Sequence, residues 1–129
     1  MEVRVALDTN RLTDLFRGDT ELADLLGMCD EVRIPLFVLA ELKAGFYGGR
    51  QQHRNEVLLQ KFLAKKTVDV LLPGYETAER YARLFVQLKR AGTPVPDIDL
   101  WIAALALEHD LTLITRDRHF ERIPQLLRS

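Results

Sequence analysis

The 129 residues contain a single cysteine, Cys29, so no disulfide can close within the chain and no thiolate cluster can gather zinc or iron-sulfur. Cys29 reads as helix packing. No stretch approaches the roughly 18 unbroken apolar residues of a membrane span. Met1 leads straight into an apolar run ending at Asp8, without the layout of a secretory leader. A cytoplasmic protein with no membrane contact is expected. Charge excess is lacking too: 18 basic residues face 19 acidic ones, for a formal net charge of -1. That argues against a generally basic nucleic-acid binder, so any RNA contact must come from local patches. Repeats, low-complexity tracts and Pro/Gly/Ser linkers are absent, so residues 1–129 are expected to form one domain around one core.

What is present is an alternation of short β-like runs with longer helical ones, the pattern of an α/β sandwich. Strands are expected at Val3–Leu7, Val32–Ile34, Val68–Leu72 and Leu111–Thr115. Helices are expected near Arg11–Phe16, Glu21–Met28, Phe37–Phe46, Gln51–Lys65, Tyr75–Arg90 and Asp97–His109. Pro35 opens the third of these and Gly48-Gly49 separates it from the fourth, which together suggest a helical hairpin. A short segment from Phe120 to Leu127 closes the chain.

Four acidic residues stand out. Asp8 and Asp117 each follow the last residues of a buried strand, and in open parallel sheets that edge is where ligands bind. Each also reads as a local device, Asp8 as a helix cap and Asp117 as a turn residue. Glu41 lies in Phe37-Val38-Leu39-Ala40-Glu41-Leu42, where apolar flanks on a helix carry it inward. Its alternative is a solvent stripe near Lys43 or Lys65. From Ile98 to Leu107 only Asp99 is not apolar, as expected of a buried helix with one inward carboxylate. Asp97, two residues earlier, is expected to be that helix's N-cap after Pro96.

Carboxylates converging on one sheet edge repel one another, and a divalent cation resolves the repulsion. Mg²⁺ or Mn²⁺ suits a set of Asp and Glu oxygens open to a phosphate. Zinc is disfavoured, because His53, His109 and His119 show no ligand spacing. His53 and His109 read as surface residues, and His119 as a lesser candidate for substrate contact. With the four carboxylates neutralised, the rest of the chain is slightly basic.

In order along nearly the whole chain, Leu7-Asp8-Thr9-Asn10, Ala40-Glu41-Leu42 with Gly45, Asp99-Leu100-Trp101-Ile102-Ala103-Ala104, and Thr115-Arg116-Asp117 with Phe120 resemble the motifs of PIN domains, most of all the VapC toxins. The resemblance implies a three-layer α/β/α fold with a short, mostly parallel sheet and a protruding helical hairpin. It implies a Mg²⁺- or Mn²⁺-dependent endoribonuclease, the toxin of a toxin-antitoxin pair, acting on RNA as a homodimer. Its antitoxin would lay a tail across the active-site groove, with a basic side chain competing for the carboxylates. Asp8, Glu41, Asp99 and Asp117 become the acidic quartet, with Asp8 and Asp99 the principal metal ligands and Thr9, Asn10 and Thr115 orienting them. One departure is visible: Leu36 and Phe37 stand where such domains often carry a polar residue before the helical glutamate.

Phosphate contacts are expected from Arg116 first and Arg118, with Arg50, Arg54, Lys61, Lys65 and Lys66 as further candidates. Some large apolar residues of the hairpin (Phe37, Phe46, Tyr47, Leu58, Leu59, Phe62) are candidates to face a partner. Three other classes fit these residues less well. A haloacid dehalogenase-like phosphatase wants a second Asp where Asn10 stands, and a phosphoacceptor receiver domain wants a strand-ending Asp where only Asp69 is available, inside its strand. A catalytically silent PIN-like binding module is opposed by the intact quartet.

Overall fold

The computed structural model describes all residues from Met1 to Ser129. Four strands, β1 (Arg4–Leu7), β2 (Glu31–Pro35), β3 (Val68–Leu71) and β4 (Thr112–Ile114), form one sheet in the order β3-β2-β1-β4, every pairing parallel. A parallel sheet is covered on both faces, and β1 and β4 are apolar after Arg4 and Thr112, whereas β2 and β3 carry Arg33 and Asp69 between apolar residues. Val5, Ala6, Leu7, Leu113 and Ile114 are accordingly buried. The cover comes from α1 (Thr9–Phe16), α2 (Thr20–Gly27), α3 (Leu36–Tyr47), α4 (Gln52–Leu63), α5 (Tyr75–Ala91) and α6 (Asp97–Glu108), giving the expected three-layer α/β/α arrangement.

The topology places the functional edge. The chain builds outward from β1 through β2 to β3, then returns through α5 and α6 to add β4 on the free side of β1. Strand order therefore reverses between β1 and β4, and a crevice opens outside the carboxyl ends of strands at such a reversal. Asp8 follows β1 there, and Thr115 to Asp117 follow β4.

Helix boundaries follow their caps. α1 starts at Thr9, two residues before the expected position, because the Asp8 side chain accepts the Arg11 backbone N–H at 2.9 Å. Asp19 caps α2 in the same way through Leu22. Asp97 is not the cap of α6: Pro96 occupies that position and Asp97 is the first helical residue, its carboxylate accepting the Tyr81 hydroxyl. An N1 carboxylate still meets the positive end of the helix dipole. α5 ends at Gly92, whose φ of +71° an L side chain would strain to adopt.

α6 is buried through Leu100 and Ile102–Ala106, as its all-round apolar pattern requires. The hairpin of α3 and α4 spends most of its large apolar residues on the core rather than on a partner: Phe46, Leu59 and Phe62 are buried. Phe37 stacks on Trp101, centroids 5.5 Å apart, and Trp101 on Tyr81 at 4.1 Å. Tyr47 alone among them is exposed, as is Leu36 at the start of the same helix. No helix is long and apolar enough to cross a membrane.

Candidate active site

Asp8 is the deepest of the four carboxylates, with 4% of its surface exposed. Its two oxygens are divided: Oδ1 caps α1 through Arg11 N–H, and Oδ2 accepts the Thr115 hydroxyl from the segment after β4. The capping role and the site role are therefore one arrangement. Burial pushes the Asp8 carboxyl above its ordinary range, the Thr115 and Arg11 hydrogen bonds pull it back, and the nearby Asp117 charge raises it again.

Asp99 lies in the first turn of α6, half-buried. Its carboxyl is also raised, first by burial, against the lowering hydrogen bond from His119, with Asp117 and Glu41 adding like-charge repulsion. Asp117 caps a short 3₁₀ turn (Arg118–Arg122) by accepting the His119 backbone N–H at 2.9 Å. Its own N–H is held at 3.0 Å by the Thr115 hydroxyl oxygen. Phe120, fully buried, anchors that turn against the core.

Glu41 differs from expectation. It is exposed on α3 rather than carried inward, and its Oε1 accepts the Thr9 hydroxyl at 2.5 Å. Lys43 is committed to Glu56 instead, at 3.1 Å. The hydroxyl missing from the start of α3 is thus supplied by α1, from the residue next to Asp8. Asn10, expected to orient the carboxylates, is exposed and bonds none of them.

His119 is the residue that sequence reasoning underweighted. Its Nδ1 lies 3.1 Å from Asp99 Oδ2 and 3.1 Å from Asp117 Oδ1. One donor atom from each of Asp99, Asp117 and His119 falls within 4.8 Å of the other two. Asp8 and Glu41 stand outside that tight group yet are coupled to it, Asp117 raising the Asp8 carboxyl and Glu41 that of Asp99. A two-residue spacing on an unassigned turn gave no periodic signal by which to find His119.

No Lys or Arg forms an ion pair with any of the four carboxylates. Arg116, the first candidate for phosphate, turns to Asp14 at 2.9 Å although 58% of its side chain remains exposed. Arg118 is exposed. From Thr9 and Glu41 a groove runs between α1 and α3 to Phe16, Arg17 and Asn55, and continues to Arg50 and Arg54. Glu41 at one end and the guanidiniums of Arg17, Arg50 and Arg54 at the other give it opposite charge along its length.

A PIN domain family model matches residues 5–126. Ribonuclease VapC1 of Haemophilus influenzae (strain R2866) is 30% identical over 125 residues, which span 93% of this chain and 92% of that protein. Ribonuclease VapC1 of Methanocaldococcus jannaschii is 28% identical over 125 residues, 96% of this chain and 84% of that one. Among solved structures, VapBC2 from Rickettsia felis bound to a DNA fragment from their promoter superposes with a TM-score of 0.88 at 25% identity, covering 97% of this chain and 96% of that one. VapBC-1 from nontypeable Haemophilus influenzae superposes with a TM-score of 0.85 at 27% identity, with the same coverage.

Proposed function

The chain belongs to the PIN-domain family, and on that premise we propose that residues 1–129 form a single nuclease domain, a divalent-metal-dependent endoribonuclease and the toxin of a VapBC-type toxin-antitoxin pair. The observation that carries this reading is the set of four carboxylates at the sheet's reversal point with no Lys or Arg paired to them. Two of those carboxyls are held above their ordinary range by burial and mutual repulsion, and a bound cation relieves both. The donor set is oxygen-rich and meets the groove at Glu41, with Cys29 buried elsewhere in the core, which fits Mg²⁺, with Mn²⁺ as a substitute.

Asp8, Asp99 and Asp117 are the residues to hold the ion, and Asp8 and Asp99 its principal ligands. Such an ion supplies Lewis acidity and charge neutralisation at the scissile phosphate. Thr115 fixes Asp8 and the start of the Asp117 turn, and Thr9 fixes Glu41. Glu41 has its second oxygen free to accept a proton from the attacking water, whose oxygen bonds to phosphorus as the bond to the departing 3′ oxygen breaks. The departing 3′ oxygen takes a proton from solvent water, so the products are a 5′-phosphate and a 3′-hydroxyl, and no covalent enzyme intermediate forms.

RNA follows the groove, its phosphates meeting Arg17, Arg50 and Arg54. Arg118 and the open face of Arg116 serve the other side of the scissile bond. Exposed Leu36, Leu72 and Tyr75 supply apolar surface for the homodimer and the antitoxin. The cytoplasm, where RNA and antitoxin meet, is the compartment of action.

The test is cleavage of a mixed tRNA and rRNA pool by the purified, partner-free protein across Mg²⁺ and Mn²⁺ titrations, with Asp99→Asn in parallel. Discrete metal-dependent cuts absent in the variant are expected. Equal cutting by both proteins would overturn the site assignment, and no cutting despite metal binding would favour a silent binding module.

A further inference from the structure

The contact between His119 and two of the carboxylates has the spacing of donors around a six-coordinate ion. A six-coordinate Mg²⁺ or Mn²⁺ holds its oxygen ligands at about 2.1 Å, so neighbouring donors stand about 3.0 Å apart and opposite ones about 4.2 Å. His119 Nδ1 keeps 3.1 Å from Asp99 Oδ2 and the same 3.1 Å from Asp117 Oδ1, the neighbouring-donor distance for both. The remaining separation, within 4.8 Å, accommodates an adjacent or an opposite pair.

The ring is also placed for this by its backbone rather than by its own packing. Asp117 captures the His119 N–H, Thr115 captures the Asp117 N–H, and buried Phe120 fixes the next residue. The imidazole itself is 41% exposed and its Nε2 bonds nothing. A partly exposed side chain that aims one nitrogen between two carboxylates is arranged for what those carboxylates bind.

We propose, resting on the metal-dependent reading above, that His119 Nδ1 is a direct ligand of the metal centre, making it a mixed site of carboxylates and one imidazole. Metal at Nδ1 leaves the ring's proton on Nε2, facing solvent. A nitrogen donor favours transition ions over Mg²⁺, because Mg²⁺ is a hard ion that prefers oxygen and retains its waters. Relative to an all-oxygen set, His119 therefore shifts the site's selectivity towards Mn²⁺.

The experiment is Mn²⁺ titration of the full chain without RNA, followed by pulsed electron paramagnetic resonance, which detects ¹⁴N coupled to the bound ion. Wild type is expected to show imidazole ¹⁴N modulation. His119→Gln is expected to bind Mn²⁺ about 10-fold or more weakly, without that modulation and with a smaller change in Mg²⁺ affinity. His53→Gln and His109→Gln, altering the other two histidines, are expected to leave the signal intact. Mn²⁺ bound to wild type with no ¹⁴N modulation would overturn the proposal while leaving the nuclease reading standing, as would a signal that persists in His119→Gln. Failure of Mn²⁺ to bind at all would overturn both.

Discussion

The Thr115 hydroxyl donates to Asp8 Oδ2 and accepts the Asp117 backbone N–H, so one oxygen joins the carboxylates that follow β1 and β4. Thr115→Val keeps the shape and removes both bonds. Asp8 then remains buried with only the Arg11 N–H, and the Asp117 turn loses its anchor. A stability loss of about 1–3 kcal/mol is expected from the unsatisfied groups. A cleavage loss of about 10- to 100-fold is expected from the disordered ligands. Thr115→Ser should restore most of both, and thermal melting beside RNA cleavage separates the two effects. Unchanged cleavage in the valine variant would remove Thr115 from the site.

Asp8 also predicts a pH dependence. Burial first, opposed by hydrogen bonds from Thr115 and Arg11, holds its folded-state carboxyl above the ordinary value. The folded chain then binds the proton more tightly than the unfolded one, so this group's stabilising contribution is complete below the unfolded value. It is lost as pH rises through the raised folded value. At neutral pH, without metal, the ionised Asp8 destabilises the fold. Asp8→Asn keeps an N-cap oxygen and should raise the melting temperature in chelator at pH 7 by about 2–5 °C. The gain should shrink as pH falls through Asp8's raised value into the ordinary carboxylate range. Added Mn²⁺ should stabilise wild type more than the variant. A variant no more stable than wild type at pH 7 would contradict the burial argument.

Much of this site was legible because strands and carboxylates are ordered by topology. Asp8 and Asp117 follow apolar strands, and Asp99 interrupts an otherwise apolar helix, so their positions follow from periodicity alone. Glu41 did not yield to the same reasoning, since α3 is apolar nearly all round and its pattern does not separate the inward face from the outward one. Leu36 is exposed there while Val38 and Leu39 are buried. Long-range polar pairs were invisible: Arg116 and Asp14 are 102 positions apart, and no local pattern announces their bond. His119 depends on a 3₁₀ turn whose cap, Asp117, reads from sequence as an ordinary turn residue.

The groove's cationic end yields a prediction about salt. If RNA phosphates contact Arg50 and Arg54, replacing either with Gln should weaken binding across sequences alike and flatten the salt dependence, by about 0.7 in the logarithmic slope per lost contact on single strands. Fluorescence anisotropy with a labelled oligonucleotide and catalytically inactive Asp99→Asn as background reads both quantities. Arg83→Gln, altering an exposed arginine of α5 that lines neither stretch of the groove, is the control. An unchanged slope in the two groove variants would place the RNA elsewhere.

Thr9 separates catalysis from folding more cleanly than any other residue of the site. Its hydroxyl holds Glu41 Oε1 at 2.5 Å, joining the first turn of α1 to the second turn of α3. Both groups reach solvent, so an unmade bond there is replaced by water and costs the fold little. Orientation is what the bond contributes, because it points the second oxygen of an otherwise mobile exposed glutamate at the groove. Thr9→Val should therefore leave the melting temperature within about 2 °C of wild type, since surface changes of this kind lie within about 0.5 kcal/mol. Cleavage should fall by about 10-fold or more, mostly in kcat, because an interaction serving the attacking water acts in the transition state and not in RNA binding. Glu41→Gln should lose more than Thr9→Val, and combining the two should add little, as two changes acting through one carboxylate are not independent. A double variant whose loss equals the product of the single losses would show that Thr9 acts on something other than Glu41.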